Sequence, residues 1–325
     1  MRSFSGASVQ IGMLTKPGTT ATTRMPTAYS SFSSVRTKPE TVNAHLTINS
    51  ESTLGPETLK LAVFPNGALS GKTVSPSLAN FLLNTLQVFT LSGKVPLITG
   101  AARGLGYEIA RAIVECGTEG VVLLDRQAEL VDKAAEEIRQ TTGIAVQQVL
   151  GAFGYIDVVI NSTGIADSNI KAEDYDPEMF RRLIDINLTG SFLIARVAAR
   201  HMIARKALSS IVFIASAAAQ IATFPQEQCA YNASKAGVVY LGRLLAAEWA
   251  RYHIRVNCIS PGYMDTELNR VGELEAQKSI CKSVIPQKRL GDVPELNNLA
   301  VYLASDSSSL MTGANCVIDG GLTLY

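Results

Sequence analysis

From Leu91 onward the chain alternates short apolar runs with stretches of helical periodicity, and few folds accept that alternation. The runs are VPLIT (95–99), VVLL (121–124), IAVQQV (144–149), DVVIN (157–161), SIVFIA (210–215), IRVNCI (254–259) and NCVID (315–319). The helical stretches are 105–116, 128–140, 177–206, 231–252 and 293–304. Runs this apolar are covered on both faces, as in a parallel sheet with helices on either side. The pattern predicts an α/β fold, a doubly wound parallel sheet in a single domain spanning 92–325. Within 231–252, Val238, Leu241, Leu245 and Trp249 recur at helical spacing and are expected to pack against the sheet.

The N-terminal third has another character. Residues 1–39 contain no Asp or Glu, carry Arg2, Lys16, Arg24, Arg36 and Lys38, and are rich in Ser and Thr. Such a segment buries too little apolar surface to offset its ordering entropy, so 1–50 is expected to be a disordered extension. A basic, acid-free start also matches an organelle transit peptide, which leaves a mitochondrial location as the alternative to the cytoplasm. Residues 51–91 are expected to form an ordered arm. Its LANFLLNTLQVFTL stretch (78–91) is too short and too interrupted by Asn80, Asn84 and Gln87 to span a membrane, and it reads as a docked amphipathic helix.

The first strand–helix junction carries a phosphate signal. Thr99 is followed by Gly100-Ala101-Ala102-Arg103-Gly104-Leu105-Gly106 and then a helix. Glycines let the backbone turn sharply toward a pyrophosphate, and the helix N-terminus offers free N–H groups to the anion. Asp125 follows VVLL, one strand later. An acid there accepts from adenosine ribose hydroxyls and repels a 2′-phosphate, whereas Arg103 would attract one. The competing explanations are a solvated loop carboxylate and a solvent-facing turn residue.

A second constellation is Tyr231-Asn232-Ala233-Ser234-Lys235. On a helix, Tyr231 and Lys235 lie one turn apart on the same face. A nearby ammonium stabilises a phenolate and equips tyrosine for proton transfer. Ser216 closes the SIVFIA strand, at the sheet edge where parallel sheets bind ligands.

With those residues the chain resembles the short-chain dehydrogenase/reductase family, a Rossmann-type fold, over about 92–325. The matching motifs are residues 99–106, Asn187 in DINLTG, Ser216, Tyr231 to Lys235, Pro261-Gly262-Tyr263-Met264-Asp265-Thr266 and the terminal MTGANCVIDGG. The resemblance implies that Tyr231 is the general acid/base and that Ser216 orients the substrate oxygen. It implies that Lys235 binds the nicotinamide ribose and lowers the tyrosine pKa, and that Asn187 holds a relay water. Cofactor contacts would come from Gly100, Arg103, Gly104, Leu105, Gly106, Asp125, Asn161, Gly164, Tyr231, Lys235, Pro261, Gly262, Met264 and Thr266. The cofactor is NAD(H) or NADP(H), with NAD(H) favoured by Asp125.

Three departures stand out. The family's Asn-Asn-Ala-Gly is here Asn161-Ser162-Thr163-Gly164, and the turn beside the adenosine ribose is expected to survive. Pro96 lies inside the first strand, where a missing N–H breaks a ladder bond. Third, only LGAFGYI separates the third apolar run from the fourth. A parallel crossover needs roughly a dozen residues, and this one must also pass two strands, about 14 Å. The pattern predicts a shortened third-to-fourth crossover left by a lost block of roughly two dozen residues, or else a displaced third strand.

Composition narrows the function. A formal net charge of +1 excludes the basic excess of a general nucleic-acid binder. Five scattered cysteines and three histidines offer no CxxC pair and no metal-site spacing, so neither a metal nor a disulfide scaffold is expected. IADSNIKAEDYD, FPQEQCAYNASKAG and PGYMDTELN resemble segments of fungal polyol dehydrogenases acting on arabinitol, mannitol or sorbose. Gln226, Glu227 and Gln228 before Tyr231 suit a polyhydroxylated substrate. The expected activity is an NAD(P)-dependent interconversion of a secondary alcohol and a ketone, of the D-arabinitol or mannitol 2-dehydrogenase type. The alternatives are a 3-oxoacyl or polyketide-type carbonyl reductase and, in another class, an impaired homologue with a structural role. The expected partners are a small-molecule alcohol or ketone and a second copy of the chain, as homodimer or homotetramer, with neither nucleic acid nor membrane.

Overall fold

The computed structural model describes residues 89–142, 154–167, 169–223, 226–266 and 275–325, together with five short strands nearer the N-terminus. The strands are β1 (Gln10–Thr15), β2 (Ser30–Ser31), β3 (Asn43–Thr47), β4 (Lys60–Phe64), β5 (Ser70–Thr73), β6 (Pro96–Thr99), β7 (Gly120–Asp125), β8 (Val158–Asn161), β9 (Ser209–Ile214), β10 (Ile254–Pro261) and β11 (Asn315–Ile318). The helices are α1 (Gly104–Glu115), α2 (Ala128–Thr142), α3 (Pro177–Ile184), α4 (Gly190–Arg205), α5 (Cys229–Trp249), α6 (Glu275–Val284) and α7 (Asn297–Ala304).

Six strands form one parallel sheet in the order β7-β6-β8-β9-β10-β11, the doubly wound architecture expected. The chain order reverses between β6 and β8, which creates a crevice at the carboxyl ends of those strands. β1 runs antiparallel along the free side of β7. Gly18–Val88 is a unit of its own, in which β2 to β5 pair antiparallel in chain order. These strands thus lie partly in the stretch expected to be disordered. The helix expected over 78–91 falls mostly outside the described residues, as does the third apolar run, 144–149.

Each face of the sheet has its own core. On one side Ile109, Ile113, Val131, Ile138, Leu296 and Leu303, from α1, α2, α7 and the turn before α7, cover Ile98, Leu123 and Ile160. On the other, Ala195, Ala199, Met202, Val238 and Leu245 from α4 and α5 cover Val159, Ile211, Phe213 and Val256. A fully buried Ile, Leu or Phe contributes about 1.5–3 kcal/mol, so these two layers hold the sheet edges in place. The Val238, Leu241, Leu245, Trp249 stripe packs on the second core, as its spacing predicts.

Two local expectations are corrected. Pro96 does not break the first strand, because β6 begins at that residue. Its missing N–H falls at the strand end, where a proline is tolerated. The adjacent Val95 supplies the entry contacts: its N–H donates to Asp157 Oδ2 at 3.0 Å and its carbonyl accepts from the Asp157 N–H at 3.1 Å. The expected helix 177–206 is divided. Asp176 caps α3 by accepting from the Glu178 N–H at 2.9 Å, with Pro177 in the first turn, and a π turn over Asp185–Thr189 then separates α3 from α4. Among the described residues no helix is long and apolar enough to cross a membrane, and no metal-binding cluster of His, Cys, Asp or Glu occurs.

Candidate active site

The glycine turn lies where β6 hands over to α1. Gly100 N–H donates to the Leu124 carbonyl at 2.8 Å, tying the turn to the tip of β7. A Cβ on Gly106 would lie 2.3 Å from the Gly100 carbonyl oxygen, so only glycine lets α1 start this close to the strand. Gly104 adopts φ +62°, and a Cβ there would meet no protein atom. Open space therefore faces the backbone at the helix entrance. No side chain caps α1, and its first turn holds no acid. The orphan N–H groups of that turn are free for an anion. Leu105 is half-buried against the first core, and Arg103 is exposed.

Asp125 ends β7 beside this turn. Its Oδ2 accepts from the Ala102 N–H at 3.2 Å and its Oδ1 from the Gln127 N–H at 3.1 Å. The carboxylate thus fixes the glycine turn from the tip of the neighbouring strand. An open glycine cradle, an uncapped helix and an acid at the neighbouring strand tip together fit a dinucleotide.

The fourth-strand turn is held from below. Asn161 is buried; its Oδ1 accepts from Thr99 Oγ1 at 2.6 Å and its Nδ2 donates to Ser191 Oγ at 2.8 Å. Thr163 Oγ1 donates to Thr99 Oγ1 at 2.8 Å, so Ser162-Thr163 keeps the turn that the sequence departure put in question. The Asn161 side chain is therefore a brace between β6, β8 and α4. Its backbone still shapes the crevice.

Ser216, Tyr231 and Lys235 come together at the carboxyl end of β9. Ser216 follows the strand and caps the short turn Ala217–Ala219, its Oγ accepting from the Ala218 N–H at 3.2 Å. It also hydrogen-bonds the Tyr231 hydroxyl. Burial raises the Tyr231 pKa above its ordinary value, and the Ser216 bond offsets part of that rise. Lys235 is buried one turn along α5, and its Nζ donates to the Ile214 carbonyl at 2.8 Å. Burial brings its pKa down from 10.5 to about 8.

Asn187 sits in the π turn, the irregularity that turns its side chain inward. Its Oδ1 accepts from the Ile165 N–H at 2.9 Å. Its Nδ2 donates to the Ile165 carbonyl at 2.9 Å and to Ser234 Oγ at 3.0 Å. Both amide protons are occupied, so the side chain clamps the 161–165 turn onto α5. Gly164 is wedged above this clamp, where a Cβ would lie 3.3 Å from Asn187 Oδ1 and 3.4 Å from Lys235 Nζ.

The remaining expected residues line the exit of β10. Pro261 and Met264 are buried. Gly262 packs so closely that a Cβ would lie 2.7 Å from the Asp319 Cα. The Thr266 N–H donates to the Met264 carbonyl at 3.0 Å. Of the three polar residues before Tyr231, Gln228 turns inward and donates to Thr223 Oγ1 at 2.7 Å, whereas Glu227 is exposed and Gln226 half-buried. Thr99, Ile165 and Ser234 lie inside quoted motifs without having been given a role, and Ser191, one residue beyond DINLTG, was not singled out from the sequence.

A family model described as enoyl-(acyl carrier protein) reductase matches residues 100–323. An NADP-dependent mannitol dehydrogenase of Hypocrea jecorina is 38% identical over 257 residues, covering 73% of this chain and 95% of that protein. A ribulose-forming D-arabinitol 2-dehydrogenase of Candida tropicalis is 35% identical over 270 residues, covering 73% and 95%. The crystal structure of a short-chain type dehydrogenase/reductase from Mycobacterium marinum superposes with a TM-score of 0.70 at 37% identity, covering 74% of this chain and 99% of that one.

Proposed function

The chain belongs to the short-chain dehydrogenase/reductase family, and from that premise we propose that it is an NAD(P)-dependent oxidoreductase interconverting a secondary alcohol and its ketone. The proposed substrate is a polyol/ketose pair of the D-arabinitol or mannitol 2-dehydrogenase type. The observation that carries the proposal is the meeting of Ser216, Tyr231 and Lys235 at the carboxyl end of β9. The polyol class is supported by the names of the curated relatives and by Gln226 and Glu227 near the start of the catalytic helix.

The dinucleotide would lie across Gly100, Gly104 and Gly106 with its pyrophosphate on the α1 entrance, and with Asp125 at the adenosine ribose. Bound there, it supplies or accepts the hydride. Tyr231, a phenol whose ordinary pKa is well above neutrality and which burial raises further, gives its phenolic proton to the ketone oxygen in reduction and takes one back in oxidation. Ser216 Oγ orients that oxygen. Lys235 spends one of its three N–H bonds on Ile214, which leaves two for the nicotinamide ribose. Its ammonium stabilises the tyrosinate that forms in reduction. Asn187 holds the 161–165 turn and the helix carrying Tyr231 and Lys235 in register.

The test is a substrate screen of the purified chain with NADH and NADPH. Ketohexoses and ketopentoses are expected to be reduced faster than a 3-oxoacyl thioester. Reduction of the thioester alone would move the chain to the acyl reductases. Cofactor binding without turnover of any carbonyl would mark an impaired homologue.

A further inference from the structure

Three chain segments meet at one phenol beside the catalytic helix. The Tyr263 hydroxyl, in the segment leaving β10, donates to Gln226 Oε1 at 2.9 Å. Gln226 lies five residues before Tyr231, at the entry to α5. The same hydroxyl hydrogen-bonds the Cys281 thiol, which is buried on α6. The backbone around Tyr263 is fixed as well. Its carbonyl accepts from the Gly291 N–H at 2.9 Å, and the Asp265 N–H donates to the Gly291 carbonyl at 2.8 Å.

This geometry sets which way the Gln226 amide faces. Burial raises the pKa of both Tyr263 and Cys281, so each is protonated at neutral pH. A phenol is a good donor and an amide oxygen a good acceptor, and the phenolic proton goes to the Gln226 oxygen. The Gln226 oxygen is thereby consumed, and its NH₂ group has no protein acceptor among the described residues. Gln228, two residues on, is satisfied internally by Thr223. Gln226 differs in keeping two amide protons, half-buried, five residues before Tyr231.

We propose that Tyr263 is a positioning residue that locks Gln226 with its NH₂ turned toward the substrate, so that the pair selects a polyhydroxylated chain by donating to a substrate hydroxyl oxygen. The proposal rests on the polyol assignment and names the residues that recognise the polyol. A site that hydrogen-bonds a substrate hydroxyl discriminates against the analogue lacking it, because the buried donor is then left unpaired.

The test compares D-fructose with 2-hexanone, a ketone of equal chain length without hydroxyls, in the full chain with its cofactor. Tyr263→Phe and Gln226→Leu are each expected to lower the kcat/KM ratio of fructose over 2-hexanone at least tenfold, chiefly through a higher KM for fructose. Gln226→Glu retains an oxygen for Tyr263 but presents no N–H, and it is expected to lose the ratio too. A merely structural role would depress both substrates alike and leave the ratio unchanged. If Gln226→Glu kept the wild-type ratio, the donor role would be overturned. If all three variants kept it, the whole inference would fall while the polyol assignment stood. A wild type that reduces no ketose would overturn the polyol assignment and this inference with it.

Discussion

Lys235 Nζ lies 5.7 Å from the centre of the Tyr231 ring, one turn along the same helix, and is buried where, among the described residues, no carboxylate pairs with it. Among the described residues the ammonium is held by one neutral carbonyl, that of Ile214, which leaves its other N–H groups for a ligand bound in front of it. Burial and the Ser216 hydrogen bond set the proton affinity of the phenol, and the ammonium stands one helical turn away.

Tyr231→Phe removes only the phenolic oxygen. Turnover should fall by roughly 10²-fold or more, while the cofactor Kd, read by fluorescence titration, stays within about twofold. A variant retaining more than a tenth of wild-type kcat would remove Tyr231 from proton transfer.

Lys235 makes a prediction about pH and stability. Its folded pKa, about 8, lies below the ordinary 10.5. Between those values the unfolded chain binds the proton and the folded chain does not, so this group makes stability rise with pH from about 8 to 10.5. Below pH 8 both states are charged, and the burial cost is fully present, on the order of 3 kcal/mol. Lys235→Met removes that cost and forfeits the Ile214 bond. At pH 7 its Tm should match or exceed the wild type, although kcat falls at least 10²-fold. A Tm several degrees lower at pH 7 would show that the buried ammonium stabilises the fold.

Asp125 predicts a preference for NAD(H), because its carboxylate stands where a 2′-phosphate would go and Arg103 is exposed nearby. Asp125→Ser should shift kcat/KM toward NADPH by tenfold or more, with some loss of stability because Ala102 and Gln127 lose their acceptor. A wild type with higher kcat/KM for NADPH than for NADH would contradict the assignment, and the NADP-dependent relative makes that comparison informative.

What the sequence made legible was whatever depends on neighbours along the chain. Tyr231 and Lys235 share a face because helices repeat every 3.6 residues. Gly106 follows from a turn that must approach its own strand. The clamp around Asn187 was not legible, since its partners Ile165 and Ser234 lie 22 and 47 residues away and its orientation depends on a π turn. The side-chain partners of Asn161 were not legible either, since Thr99 and Ser191 lie on other elements, whereas Gln228 bonds Thr223 only five residues back. Pro96 looked disruptive only because the strand's starting residue is set by the distant Asp157.

Self-association is expected through α4 and α5. Phe192, Leu193 and Val197 on the first, with Tyr240 and Leu244 on the second, are exposed at helical spacing. Apolar stripes on two helices flanking one sheet suit a two-fold interface, as homodimer or homotetramer. Light scattering at micromolar concentration should give a dimer or larger, and Val197→Asp with Leu244→Asp should give a monomer. A monomeric wild type would contradict the expectation.

The shortened crossover yields the last prediction. Between the end of β7 at Asp125 and the start of β8 at Val158, the described helix is α2, and its Val131, Ala135 and Ile138 serve the first core. Among the described residues, the opposite face near β6 and β7 carries a small separate cluster, Val95 and Val122 packed with Leu97 and Tyr155. Tyr155 is pinned there by its hydroxyl, which donates to Glu119 Oε2 at 2.6 Å, and by the Arg205 guanidinium 4.0 Å from its ring centre. Among the described residues, one aromatic ring covers this cluster, where a crossover helix would bury a whole apolar face. Inserting a family-like block of about twenty-five residues between Val149 and Gly154, enough for a turn and a helix, should cover that cluster and complete the wall of the adenine pocket. At roughly 2–4 °C per kcal/mol in a chain of this size, a gain of several degrees in Tm is expected, with a lower cofactor Kd. Glycine–serine filler of equal length should give neither, because it adds chain without apolar surface. If the chain as it stands melts and binds cofactor like an intact relative, and the helical block adds nothing over the filler, then Tyr155 and its partners already close that side of the sheet and no block is missing.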